Sequence, residues 1–113
     1  HASFEYAAVK NDVLGKAYDL SLTFIGPVRM RRLNRTHRDT DTATDILSFT
    51  INDTTGEIFI CPAIAEKKAP AFGYTTHTYM AYLFIHGCLH LKGMRHGRTM
   101  EHEEARLLAA YGV

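Results

Sequence analysis

His86-Gly87-Cys88-Leu89-His90-Leu91-Lys92-Gly93-Met94-Arg95-His96 gathers three of the chain's seven histidines into eleven positions. In a helix, residues four apart lie one turn above each other, so the imidazoles of His86 and His90 converge on one point. Tyr79, Tyr82 and Leu83 fall on the same face. Gly93 can take the left-handed conformation that stops a helix and turns the chain back, which returns His96 as a third nitrogen donor. Three protein ligands with a fourth position left for water is the pattern of a catalytic zinc site rather than a structural one. The spacing therefore predicts one Zn2+ per chain held by His86, His90 and His96, although nickel, cobalt or copper would suit the same ligands. His37, His77 and His102 read as ordinary polar residues.

The same spacing occurs in metzincin proteases, where a glutamate general base directly follows the first histidine. Here that position is Gly87. Without the carboxylate, peptide hydrolysis loses a group worth typically about 10² to 10⁴ in rate, so a metalloprotease is the weaker reading.

Outward from the cluster, the histidine helix is predicted to begin near Thr75 or Thr76, after Pro70 and Gly73 break the preceding pattern. Downstream, a last helix is predicted from about Met100 to Tyr111. Thr99 is its candidate cap, Glu101, Glu103 and Glu104 favour its positive end, and Gly112 closes it. Upstream, Leu20 to Ile25 reads as a strand, Pro27 to Arg35 as a helix, Ile46 to Ile51 and Glu57 to Cys61 as paired strands, and Pro62 to Lys68 as a short helix. The first residues are ambiguous, with Phe4 to Val9 a possible strand. On the early helix, Met30, Leu33 and His37 share one side while Arg31, Arg35 and Arg38 share the other.

The chain has 113 residues, of which 46% are hydrophobic and 22% charged, values that allow a buried core and predict a single domain over residues 1–113. Lys plus Arg number 13 against 12 Asp plus Glu, so overall charge does not mark a nucleic-acid binder and local clustering has to decide. Five arginines lie between Arg29 and Arg38. The two cysteines, Cys61 and Cys88, are far apart and form no CxxC pair, which argues against a disulfide framework and for a reducing compartment. No apolar run approaches the ~20 residues that cross a bilayer, and the chain reads as cytoplasmic with no membrane partner.

HGCLHLKGMRH resembles the HGxLHLxGxxH signature of the YbeY family. A second stretch, Leu33-Asn-Arg-Thr-His-Arg38-Asp-Thr-Asp41-Thr-Ala-Thr-Asp45-Ile-Leu-Ser-Phe49, is similar to that family's LNxxYRxxDxxTDVLSF segment, and Gly56-Glu-Ile-Phe-Ile60 to its GDIxI strand. Matching segments run from about Leu20 to Leu108. The resemblance implies an α+β fold, a small mixed sheet flanked by helices with a zincin-like three-histidine site. It also implies a metal-dependent, single-strand-specific endoribonuclease acting in rRNA processing and ribosome maturation, notably at the 16S rRNA 3′ end. The implied partners are single-stranded RNA, ribosomal RNA and small ribosomal subunit proteins. Arg38 matches the arginine the family places near its metal cleft, where a guanidinium could clamp a phosphate through two hydrogen bonds. The chain departs from the pattern at His37, which replaces a tyrosine, at Arg95, which replaces an acidic residue, and in a short N-terminal region. The alternative to catalysis is a ribosome assembly factor whose metal serves the fold.

Overall fold

The computed structural model describes residues 4–113. Its elements are α1 (Tyr6–Leu14), β1 (Asp19–Phe24), α2 (Pro27–Arg38), β2 (Ile46–Asn52), β3 (Thr55–Ile60), α3 (Pro62–Lys68), a 3₁₀ turn (Ala69–Phe72), α4 (Thr76–Lys92) and α5 (Arg98–Ala110). The three strands form one mixed sheet of order β1-β3-β2, with β1 parallel and β2 antiparallel to β3. This is the expected α+β architecture.

β3 is the central strand, and its burial alternates as the two-residue period of a strand requires. Ile58 and Ile60 are fully buried beneath α4, while Phe59 faces the opposite side, where it joins Met30 and Leu33 of α2. Each fully buried side chain of this size contributes about 1.5–3 kcal/mol. The β2–β3 hairpin turns over Asp53-Thr54, where the Asn52 side chain accepts from the Thr54 amide at 2.9 Å, an Asx turn that needs no glycine.

α4 is apolar on nearly every side because it is enclosed, with α1, α3 and α5 packed around it and the sheet beneath. The Thr75 side chain caps its start by accepting from the Thr78 amide at 3.1 Å. Its end is Gly93 at φ 105°, whose amide and that of Met94 close on the carbonyls of the last turn.

Three expectations are corrected. Phe4 to Val9 is no strand: helix α1 starts at Tyr6 and buries Val9 and Val13, four positions apart on one helical face, against α4. α2 runs one turn beyond Arg35, to Arg38, where Asp39 ends it in the left-handed region that a short polar side chain tolerates. α5 starts at Arg98, with Gly97 in the capping position and no side-chain cap, so Thr99 lies inside the helix.

Candidate metal centre

The last turns of α4 carry His86 and His90, and the bend at Gly93 brings His96 back over them. The three ring centroids form a near-equilateral triangle with sides of 4.5, 4.9 and 4.8 Å. One nitrogen from each ring lies within 4.8 Å of the others, a group that could hold a metal ion. His86 and His90 are partly buried and His96 is exposed, so the triad faces outward.

Hydrogen bonds behind the rings aim them. His86 Nδ1 is bonded to the carboxylate of Glu104 on α5, and His90 Nδ1 donates to the Met94 carbonyl at 3.2 Å. With both Nδ1 atoms occupied, the Nε2 lone pairs point inward, and they meet at 3.0 Å. Two acceptor lone pairs so close need a proton or cation between them. The donor set therefore fits a divalent metal favouring imidazole nitrogen. Burial, then the neighbouring rings of His86 and His96, hold His90 below the usual histidine pKa and favour the neutral form that ligation requires.

Glu104 is the residue that sequence reasoning misplaced. Assigned above to the electrostatics of the α5 N-terminus, it is instead buried, at 6% exposure, and turned toward His86. Met100, Glu104 and Leu107 are the buried residues of α5, spaced along one face. A carboxylate in line with two apolar residues was the available signal.

A cleft of about 210 Å³ opens beside the triad, lined by Arg38, Ile46, Leu47, Ser48, His86, Gly87 and His90. Arg38 lies in its wall, donating to the Ser48 carbonyl at 2.9 Å and to the His37 carbonyl at 3.3 Å, with its guanidinium 4.6 Å from the Phe49 ring centroid. Arg31 and Arg35 do not join it. Both bind Asp41 on the exposed surface, Arg31 through two bonds of 2.9 and 3.0 Å, so the three arginines do not act as one cationic face.

The structure also accounts for other residues of the long matching segment. The Asn34 side chain donates to the Thr42 carbonyl at 2.9 Å, pinning the loop that leads into β2. Asp45 is buried and accepts from the Tyr79 hydroxyl at 2.7 Å, with Lys68 3.5 Å away. It thus ties the start of β2 to α4 and α3. His37 packs on Phe49 at 5.1 Å, and the ring set that converges among the described residues excludes His37, His77 and His102.

Gly87 does more than omit a carboxylate. A Cβ there would stand 3.0 Å from the Ile58 δ-methyl and 3.1 Å from that of Ile46, so α4 rests directly on the sheet at this point. Any side chain here would crowd both isoleucines.

Fold and site define an α+β protein with a three-imidazole centre open to a cleft. The family model described as Endoribonuclease YbeY matches residues 2–112. The chain belongs to the YbeY endoribonuclease family. Endoribonuclease YbeY of Neisseria meningitidis serogroup B is 35% identical over 95% of this chain and 72% of its own length. That of Staphylococcus aureus is 29% identical over 94% and 81%. The solution structure of TM1509 from Thermotoga maritima superposes with a TM-score of 0.69 at 25% identity, covering 91% of this chain and 76% of the other. No helix among the described residues is long and apolar enough to cross a membrane.

Proposed function

We propose that this chain is a zinc-dependent endoribonuclease that cleaves single-stranded RNA during ribosomal RNA maturation in the cytoplasm, including maturation of the 16S 3′ end. The observation that carries the reading is that Arg38 lines one cleft with His86 and His90, two of the three converging imidazoles. His86, His90 and His96 are the proposed ligands. When bound, the cation supplies Lewis acidity and lowers the pKa of a coordinated water.

The chain's own groups do the rest. Arg38 is held by two backbone carbonyls and the Phe49 face, which leaves other guanidinium N–H groups for a non-bridging phosphate oxygen. A donor fixed before the reaction stabilises charge on the phosphoryl oxygens without reorganising as that charge develops. Glu104 and the Met94 carbonyl hold His86 and His90 in the ligating orientation. Gly87 leaves the floor of the cleft bare and offers no general base for peptide hydrolysis.

The test presents single-stranded RNA and a casein-like peptide to one metal-loaded preparation, with His86→Ala protein purified alongside to expose contaminating nucleases. RNA cleavage by the wild type alone, with peptide left intact, is the expected result. RNA binding should weaken with salt, with a log-log slope of about −0.7 per phosphate contact. Equal cleavage by both preparations would assign the activity to a contaminant. RNA binding without cleavage would favour the assembly-factor reading.

A further inference from the structure

An aromatic surface leads away from the histidine triad along α4. The Tyr82 ring lies 5.8 Å from that of His86, and Tyr79 follows at 5.9 Å with its plane only 28° from that of Tyr82. Phe72 packs on both, 5.0 Å from Tyr79 and 6.0 Å from Tyr82, and Tyr74 lies 19° from parallel to Phe72 at 6.3 Å. Tyr79 is buried and anchored to Asp45, whereas Tyr74 and Tyr82 are half-buried and Phe72 is 53% exposed. Phe72 thus leaves about half of an apolar ring in solvent, beside two tyrosines that are only partly covered.

The surface is held rigidly. The 3₁₀ turn places Phe72, the Tyr74 amide bonds back to the Ala69 carbonyl at 3.1 Å, and Thr75 immediately caps α4. At its border stands Lys68, half exposed at the end of α3, with its ammonium 3.5 Å from the Asp45 carboxylate that receives the Tyr79 hydroxyl. Flat π faces bordered by a cation match the two chemistries of single-stranded nucleic acid, unstacked bases and an anionic backbone. Duplex RNA keeps its bases stacked and offers no such faces.

We propose that Phe72, Tyr74 and Tyr82 form a stacking platform for nucleobases next to the scissile phosphate, with Lys68 facing the backbone of the same segment. This rests on the ribonuclease reading above, because Tyr82 joins the platform to His86 and so places bound bases beside the centre. The platform selects unpaired RNA by stacking and reads no particular base.

Single-turnover cleavage at increasing enzyme concentration separates half-saturating concentration from limiting rate. Phe72 is exposed and packs on Tyr74, Tyr79 and Tyr82 rather than on the three histidines, so Phe72→Ala should keep its metal content and change its melting temperature little. Its half-saturating concentration should rise about 5- to 150-fold, the range that base–aromatic stacking spans, with the limiting rate nearly unchanged. Phe72→Trp should restore wild-type values. A series of oligonucleotides, each abasic at a different single position, should contain one position where wild type loses affinity and Phe72→Ala loses nothing further. Wild type that cleaves RNA while Phe72→Ala and Tyr74→Ala match it on every oligonucleotide would overturn the platform and leave the ribonuclease reading intact. Wild type with no affinity for single-stranded RNA would overturn both.

Discussion

The carboxylate of Glu104, on α5, is bonded to Nδ1 of His86, on α4, and so sets which nitrogen of that ring faces the triad. The pair couples the last helix to the candidate metal centre. Removing the carboxylate frees the ring to rotate and leaves a buried Nδ1 without its partner.

Glu104→Ala is therefore expected to weaken metal binding about 10- to 100-fold, the usual cost of losing a group that orients a ligating histidine. Glu104→Gln, which retains an acceptor oxygen, should lose less. Competitive titration with a chromogenic chelator reads both affinities; equal affinity for wild type and Glu104→Ala would remove Glu104 from the site.

Arg38→Ala tests the opposite wall. The side chain is exposed and its contacts are two carbonyls and one ring face, so unfolding free energy should change by no more than about 1 kcal/mol. RNA cleavage should fall about 10²- to 10³-fold, as when one positioned donor to a developing oxyanion is deleted. Unchanged cleavage would exclude the phosphate clamp, and collapse of the fold would make Arg38 a structural residue.

Gly87 separates two explanations of the missing glutamate. In Gly87→Ala the helix gains about 0.5–1 kcal/mol in propensity, offset by crowding against the flexible δ-methyls of Ile46 and Ile58, so near-neutral stability is expected. Gly87→Glu adds overpacking against Ile46 and Ile58 and sets a carboxylate beside apolar side chains, a loss of about 3 kcal/mol or more, and no gain of peptidase activity. Denaturant melts of the two variants give the comparison. A stable Gly87→Glu protein would show that the helix can lift from the sheet.

Alkaline stability follows from two buried acids. Burial pushes the Cys88 thiol up from 9.0 to about 12, and burial together with the Asp45 hydrogen bond raises Tyr79 above the usual tyrosine range. A raised folded pKa means that the native state holds its proton more tightly, so this stability is complete below about pH 9 and is lost as pH climbs toward about 12. Melting temperatures should be level at neutral pH and fall steeply above pH 9. Cys88 should resist thiol reagents at pH 8 until the protein unfolds, and rapid native-state labelling of Cys88 would contradict its enclosure.

What could be read from sequence was local. His86, His90, Gly93 and His96 lie within one helix and its cap, where periodicity and a glycine signal carry the geometry, and the three imidazoles do converge. The arginines of α2 share a helix face, yet Asp41 draws two of them away because the chain turns back just after Arg38, and that turn decides their partners. Glu104 joins His86 across eighteen positions, and the helical pattern of α5 alone shows only that its side chain points inward. α1 is ambiguous in sequence because its short apolar run fits either period, and packing on α4 decides it.

The most direct test of the account is RNA cleavage by metal-free protein titrated with zinc. Activity should rise from background and saturate at about one equivalent per chain, while His90→Ala protein, shown to be folded, stays at background throughout. Cleavage that is independent of added metal and removed chelator, or equal in His90→Ala, would contradict the assignment of the three-histidine centre as the site of reaction.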